Sequence, residues 1–258
     1  MKKTRNICAR LSLLLLACLP AQASIFIVAI CKDGVVAVAD SRFTFSDADS
    51  GRALAYADGI EKIVRFDSAM LAETGQGFLS EERFDQFVAR FAEASGSLPV
   101  ELVLPSLLDY GHRRLPAQDI PALEQQHMAV AKYRRGQAVI CGYDGQLRPC
   151  VSRGYIQSSP TDFEKLVDKL PSMAAQQTAS AARASIERYI AAKGKSATMG
   201  GEFSAVVLTP GGAHTLWTLK NPIPARTIDE LIQMVESHRL AVTLIPPATR
   251  AELDELLH

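Results

Sequence analysis

The sequence predicts an α+β fold built from stacked layers of strands and helices. Three observations predict it: apolar runs of strand length, paired stretches with helical periodicity, and a segregated order of these elements. The order is strands, two helices, strands, two helices, strands and a final helix, whereas alternating βαβ units would place single helices between strands. No internal repeat or long linker divides residues 24–258, so we expect a single domain there.

Residues 1–23 have the pattern of a signal peptide. They begin with a basic stretch, continue with an apolar run at 11–19, and end with the small-x-small pattern of Ala21 and Ala23. The apolar run is too short to span a bilayer as a helix. The pattern predicts cleavage after Ala23 and a periplasmic or secreted protein that begins at Ser24.

A second interpretation of the leader starts from residues 15–18, which resemble a lipobox. Cleavage there would leave an acylated Cys18 as the first residue and anchor the protein to a membrane. Ser24 would then have no free α-amine. Both interpretations place the protein outside the cytoplasm.

The composition argues against a nucleic-acid partner. The chain has 28 basic and 28 acidic residues, and four of the basic residues but none of the acidic ones lie in residues 1–23. The remainder is therefore mildly acidic and has no basic cluster. The apolar fraction of 48% is enough for one sizeable core.

The first predicted strands form a hairpin. Residues 25–30 and 35–39 are continuous apolar runs separated by a Lys-Asp-Gly turn, which is typical of strands buried on both faces. Residues 44–58 are polar and rich in Gly, Asp and Ser, so we expect a loop there. Two further strands are predicted at 60–66 and 69–73, on either side of a second turn.

Two helices follow these strands. Ser80 is a good N-cap for the first helix, in which Phe84, Phe87 and Phe91 recur at helical spacing. Pro99 opens the second helix, which is expected to end near residue 114. The apolar stripes of both helices predict faces that pack on the core.

The second half of the chain repeats this order after a predicted loop at 116–126. A hairpin, two helices, another hairpin and C-terminal helices are expected there. The predicted strands and helices are, in chain order, 128–133, 138–143, 147–152, 161–173, 176–193, 204–209, 213–219, 227–238 and 248–257.

Three cysteines lie after residue 23. Cys141 and Cys150 flank a turn signal at 143–146, which would bring them face to face across a hairpin as a disulfide. Two buried free thiols are the alternative interpretation. Cys31 would be the odd, free cysteine of an exported protein.

Motifs of several common enzyme classes are absent from the sequence. There is no G-x-S-x-G, no H-E-x-x-H and no phosphate-binding G-x-x-x-x-G-K-[ST]. None of the five histidines is in a ligand-spaced pair, and no cysteine spacing resembles a zinc site. The sequence predicts neither a metal nor a cofactor.

The strongest functional pattern begins at the predicted cleavage site. Ser24 leads into an apolar strand, Gly34 makes the turn, and a second apolar strand ends at Asp40, followed by Ser41 and Arg42. This segment resembles the start of a proteasome β-subunit, a member of the N-terminal nucleophile hydrolases. In that family the processed chain begins with its nucleophile.

Two later residues extend the resemblance. Lys62 matches the lysine that the family carries on the next strand, and Gly75 matches the family's oxyanion glycine. The resemblance is strong over residues 24–91 and topological beyond them. It implies a four-layer αββα sandwich, a peptide or small-amide substrate and no cofactor. The family forms ring-shaped homo-oligomers, and for this chain a ring, a dimer and a monomer stay open as alternatives.

The resemblance also implies a role for each site residue. The Ser24 hydroxyl is the nucleophile, and its own α-amine is the base. Lys62 favours the deprotonated hydroxyl, and Asp40 holds Lys62 and compensates its charge. The backbone N–H of Gly75 faces the developing oxyanion, and Arg42 supports the site.

The chain departs from the family pattern at three places. The nucleophile is Ser24 where the family usually has Thr. A supporting serine expected near residues 154–155 is missing. The supporting Asp expected before Gly200 is also absent, and Ser196 or Thr198 would substitute for it.

These departures favour a second interpretation, in which the chain is a catalytically inactive exported module. Such a module would have the same fold and would bind a partner with a decayed site. Replacement of Ser24 would then leave its biological effect intact.

Overall fold

The structure of the protein is a computed structural model. The predicted signal peptide and the helices predicted at 227–238 and 248–257 lie outside the described residues. The described residues are 24–46, 53–58, 61–66, 68–75, 77–79, 82–95, 97–193, 199–218 and 241–244.

The first of two large sheets contains the hairpin predicted at the start of the body. All of its strand pairings are antiparallel. The two strands of the hairpin are almost entirely buried, as their continuous apolar sequences predict. In spatial order the strands are β12 (Tyr155–Gln157), β1 (Phe26–Cys31), β2 (Gly34–Asp40), β13 (Phe203–Thr209) and β14 (Gly212–Thr218).

The second large sheet is also antiparallel and has five strands. It contains the strand predicted at 69–73 and the three strands predicted between 128 and 152, each within a few residues of its predicted bounds. In spatial order the strands are β11 (Leu147–Val151), β10 (Gln137–Asp144), β9 (His127–Arg134), β6 (Ala69–Thr74) and β5 (Ile63–Phe66).

The loop predicted at 44–58 was wrong in part, because two strands lie there. Each pairs along its backbone in a third sheet. Residues 53–58 have the largely apolar sequence Ala-Leu-Ala-Tyr-Ala-Asp, which the polar residues at 46–52 obscured. The strands of this sheet are β15 (Ala241–Leu244), β4 (Ala53–Asp58) and β3 (Phe43–Ser46). A small hairpin of β7 (Phe78–Leu79) and β8 (Glu82–Arg83) is separate.

The two helices predicted before residue 115 are confirmed. The loop predicted at 116–126 was wrong in part, because it contains two short helical turns. The helices are α1 (Phe84–Ser95), α2 (Val100–Arg114), α3 (Ile120–Glu124) and α4 (Ala175–Lys193), with 3-10 segments at Ala117–Asp119 and Asp162–Ser172. None of the helices within the described residues combines the length and apolar character that a membrane-spanning helix needs.

Three apolar clusters hold the sheets and helices together. Between the two large sheets, Phe26 and Val28 of the first sheet belong to the same cluster as Met70 and Ile140 of the second. The second sheet also packs against α1 and α2, and the first against α4 and the 3-10 segment Asp162–Ser172. Burial of these side chains is the main source of stability.

The four-layer αββα sandwich implied by the resemblance was wrong. The described residues form a mixed α/β structure around two antiparallel sheets, and a third sheet adds to them. Of the helices predicted at 161–173 and 176–193, only the second is an α-helix. The first is a 3-10 segment, Asp162–Ser172. The helical cover of the two sheets is therefore unequal.

A disulfide joins Cys141 on β10 to Cys150 on β11. The two cysteines lie on neighbouring antiparallel strands, on either side of the turn at Gly145. Cys31, at the end of β1, is a buried free thiol whose Sγ lies 3.1 Å from the carbonyl oxygen of Gly34.

Reduction of the Cys141–Cys150 disulfide should lower the unfolding free energy by about 2–4 kcal/mol, because the bond restricts the unfolded chain. Thermal unfolding with and without a reductant measures this difference. In a double variant, Cys141→Ala with Cys150→Ala, the reductant has no bond to break and should change nothing. An equal effect of the reductant on that variant would contradict the prediction.

Candidate active site

The candidate site lies where β1 begins and β2 ends. The antiparallel register pairs Phe26 with Ala39, so the residues before β1 lie beside those at the end of β2. The Asp40 N–H donates to the carbonyl of Ile25 over 3.2 Å, and the Ile25 N–H donates to Asp40 Oδ1 over 3.1 Å. These two hydrogen bonds fix the backbone next to Ser24 against the Asp40 carboxylate.

The Asp40 carboxylate accepts three hydrogen bonds in a buried position. Its donors are the Ile25 N–H, Lys62 Nζ at 2.6 Å and the Gly200 N–H at 3.0 Å. Asp40 is 1% exposed and Lys62 is 3% exposed. Burial raises the pKa of Asp40, while the Lys62 ammonium and the backbone donors oppose that rise. The structure thus places Lys62 against Asp40, as the sequence predicted.

The main-chain carbonyl of Arg42 brings Ser24 and Lys62 together. Ser24 Oγ donates to this oxygen over 3.2 Å, and Lys62 Nζ donates to the same oxygen over 2.6 Å. A positive charge close to a hydroxyl favours its deprotonated form. The arrangement can therefore activate Ser24 as a nucleophile, provided that a base takes its proton.

Gly75 lies close to Lys62 because the strand that precedes Gly75 hydrogen-bonds to the backbone of Lys62. It follows β6 directly, and in that strand the N–H of Glu73 donates to the Lys62 carbonyl over 2.9 Å. Its φ is +143°, and a Cβ at this position would lie 2.2 Å from Gln126 Oε1, so only glycine fits. The role of its N–H toward an oxyanion stays a prediction.

The supporting residues Ser196 and Thr198 lie outside the described residues. Gly200 is described, and its N–H holds the Asp40 carboxylate. This backbone donor connects the chain before β13 to the end of β2. The proposed substitution of Ser196 or Thr198 for the absent acidic residue stays a prediction.

Ser158 was not predicted from the sequence. The Phe26 N–H donates to Ser158 Oγ over 3.0 Å, and the Ser158 N–H donates to the Phe26 carbonyl over 3.2 Å. The resemblance predicts a supporting serine near residues 154–155, but pairing of Ile27 with Gln157 brings Ser158 to the start of β1. The adjoining strand has three residues and no apolar run, so no sequence signal indicated it.

Arg42 has a partner that was not predicted from the sequence. Its guanidinium forms an ion pair with Asp58, with Nε 2.9 Å from Oδ1. Asp58 ends β4, in the region that was predicted to be a loop. Nothing in the local sequence indicated that this aspartate would be buried beside Arg42.

Glu73 is a buried carboxyl group close to the Asp40–Lys62 pair. It is 2% exposed, and burial raises its pKa from the ordinary 4.5 to about 8. Lys62 opposes this rise, whereas the negative charges of Asp85 and Asp40 add to it. Glu73 is therefore mostly protonated at neutral pH, and Asp40 is the carboxylate that compensates Lys62.

The described part of the chain contains no group of side chains suited to binding a metal ion. No three or more His, Cys, Asp or Glu side chains there are grouped so that they could hold a metal ion.

No family model matches the chain, and no curated protein matches it at a significant level. The resemblance to proteasome β-subunits therefore stays a prediction based on the residues themselves.

Replacement of Glu73 by Gln should stabilise the protein increasingly as the pH rises. The folded-state pKa of Glu73 lies above its ordinary value, so its contribution to stability is complete below about pH 4.5 and is lost as the pH rises to about 8. That loss is on the order of 1 kcal/mol for each pH unit. Glu73→Gln has no proton to lose there.

Denaturant unfolding of wild type and Glu73→Gln near pH 5 and near pH 8 measures this difference. The variant should gain on the wild type between the two pH values. A difference in unfolding free energy that is the same at both would show that the Glu73 carboxyl does not titrate in this window.

Proposed function

We propose that the chain is an exported hydrolase of peptide or amide bonds, with the Ser24 hydroxyl as its nucleophile. The observation that carries the proposal is the shared contact of Ser24 Oγ and Lys62 Nζ with one carbonyl oxygen. The buried Asp40 carboxylate holds that lysine at 2.6 Å. This group lies at the residue that cleavage after Ala23 would make the N-terminus.

Removal of residues 1–23 supplies the base. In the uncleaved chain, the nitrogen of Ser24 belongs to a peptide bond and cannot accept a proton. Cleavage converts it to an α-amine, whose ordinary pKa is roughly 7.7–8.0, close to the operating pH that suits a general base. Export and activation would then be the same event.

Acylation follows from these groups. The α-amine takes the proton of the Ser24 hydroxyl while Oγ forms a bond to the substrate carbonyl carbon. The Gly75 N–H donates to the oxyanion of the tetrahedral intermediate, a contact typically worth about 2.7–4 kcal/mol of barrier. The ammonium returns its proton to the leaving nitrogen as the amide C–N bond breaks, which leaves an ester on Ser24.

Deacylation repeats these steps with water. The α-amine takes a proton from a water molecule whose oxygen attacks the ester carbon. The bond from that carbon to Oγ breaks, Oγ recovers the proton, and a carboxylic acid leaves. Lys62 stabilises negative charge on Oγ in both halves of the reaction, and Asp40 keeps Lys62 in place.

Two features support export to an oxidising compartment. The leader has the basic, apolar and small-x-small segments of a signal peptide. The Cys141–Cys150 disulfide is of a kind that persists mainly outside the cytoplasm. We therefore place the mature enzyme in the periplasm or the extracellular medium. Assembly into a homo-oligomer is part of the same proposal.

The proposal predicts the mass of the mature protein. Protein recovered after export should begin at Ser24, as measured by intact mass and N-terminal sequencing. A chain that begins with an acylated Cys18, or at any residue other than Ser24, would contradict the mechanism, because the amine would be absent or on a different residue.

The mature protein should react with a peptide epoxyketone. The Ser24 hydroxyl adds to the ketone and the α-amine opens the epoxide, so the whole probe mass joins one residue and no group leaves. Ser24→Ala should abolish this adduct, while Ser180→Ala, which removes an exposed hydroxyl on α4, should leave it unchanged. Wild-type protein that begins at Ser24 but forms no adduct would favour the inactive binding module.

A further inference from the structure

The Arg42 side chain is held by a two-point ion pair. Its Nε donates to Asp58 Oδ1 over 2.9 Å, and its Nη2 donates to Asp58 Oδ2 over 3.1 Å. Asp58 is 5% exposed, so water screens the pair little. Two parallel hydrogen bonds between a guanidinium and a carboxylate fix orientation as well as distance.

A second residue of the third sheet covers the same guanidinium. The Arg42 Cζ lies 3.5 Å from the centroid of the Tyr56 ring, a cation–π contact. Tyr56 and Asp58 are two residues apart on β4, so they lie on the same face of that strand.

The Gly200–Gly201 backbone lies close to the ion pair. A Cβ at Gly201 would lie 2.4 Å from Asp58 Oδ1, and one at Gly200 would lie 3.3 Å from Arg42 Nη1. The glycine backbone therefore approaches both charged groups closely. The guanidinium therefore has a carboxylate, an aromatic ring and this backbone as close neighbours.

Arg42, whose side chain is fixed in this way, also supplies the main-chain carbonyl that contacts both Ser24 and Lys62. Ser24 Oγ and Lys62 Nζ both donate to the Arg42 main-chain oxygen. A rotation of the Arg42 backbone would move this acceptor and separate the hydroxyl from the ammonium. Small displacements of this kind are costly in catalysis, since reacting groups must be held in contact distance.

We propose that Asp58 and Tyr56 are positioning residues for the nucleophile. They hold the Arg42 side chain, and through it the carbonyl oxygen on which Ser24 and Lys62 converge. The third sheet then contributes to the alignment of the candidate site. This inference rests on the proposed function, since it assumes that Ser24 reacts.

The test uses the mature chain that begins at Ser24 and a fluorescent peptide epoxyketone. Asp58→Asn keeps the shape of the side chain and removes its charge. The maximal rate of Ser24 modification should fall between about 10-fold and 100-fold, because the reacting groups lose their alignment. The half-saturating probe concentration should stay within about twofold, since Asp58 acts on alignment and not on probe binding.

Tyr56→Leu provides a second variant, which also serves if Asp58→Asn does not fold. It removes the aromatic face at a partly exposed position and should slow the maximal rate in the same way. Tyr56→Phe keeps that face and should restore most of the rate. A purely structural role would not separate the maximal rate from the half-saturating concentration in this way.

Asp162→Asn is a control for the loss of a two-point ion pair away from the site, at a more exposed position. Asp162 forms a similar two-point pair with Arg188, at 2.7 and 3.0 Å, in another part of the fold. Its loss should leave the rate of Ser24 modification unchanged. An equal loss of rate in this variant would show that the effect is one of general stability, and would overturn the inference.

The remaining outcomes separate the inference from the proposed function. If the wild type begins at Ser24 and is not modified, the proposed function is overturned and the inference falls with it. If the wild type is modified and the folded Asp58→Asn and Tyr56→Leu variants react at its rate, the inference alone is overturned and Ser24 remains the nucleophile.

Discussion

The buried ion pair between Asp40 and Lys62 is the interaction on which the rest of the candidate site depends. An isolated charge of either sign would be costly at 1% or 3% exposure. The 2.6 Å contact and the N–H donors of Ile25 and Gly200 compensate that cost. The pair therefore ties together the start of β1, the end of β2, the residue before β5 and the chain before β13.

The first large sheet decides where Asp40 lies. Antiparallel pairing aligns the beginning of β1 with the end of β2, and β13 pairs with the other edge of β2. Polar residues that follow or precede these strands are therefore gathered at one end of an otherwise apolar sheet. The third sheet extends from the same end, because β3 begins one residue after Arg42. Fold stability and site geometry share the same backbone hydrogen bonds.

The balance of charge in this region depends on which carboxyl groups are ionised. Two ionised carboxylates beside one lysine would leave an excess buried negative charge, which is unfavourable. The raised pKa of Glu73 removes one of them at neutral pH. The Lys62 ammonium then interacts mainly with the Asp40 carboxylate and the Arg42 carbonyl oxygen. If Lys62 also compensated a second carboxylate, it would stabilise a developing negative charge on Ser24 less strongly.

The β1–β2 hairpin, α1 and α2 could be predicted from the sequence, because apolar periodicity reflects local geometry. The contact of Asp40 with Lys62 was implied by the resemblance to proteasome β-subunits and not by a local pattern, and the two side chains lie 2.6 Å apart. The unequal helical cover, the third sheet and the contacts of Ser158 and Asp58 could not be predicted in this way. Ser158 reaches β1 across 132 residues, and Asp58 reaches Arg42 from the end of β4, within a segment whose polar residues predicted a loop. Such contacts depend on strand register between distant segments, which local sequence does not encode.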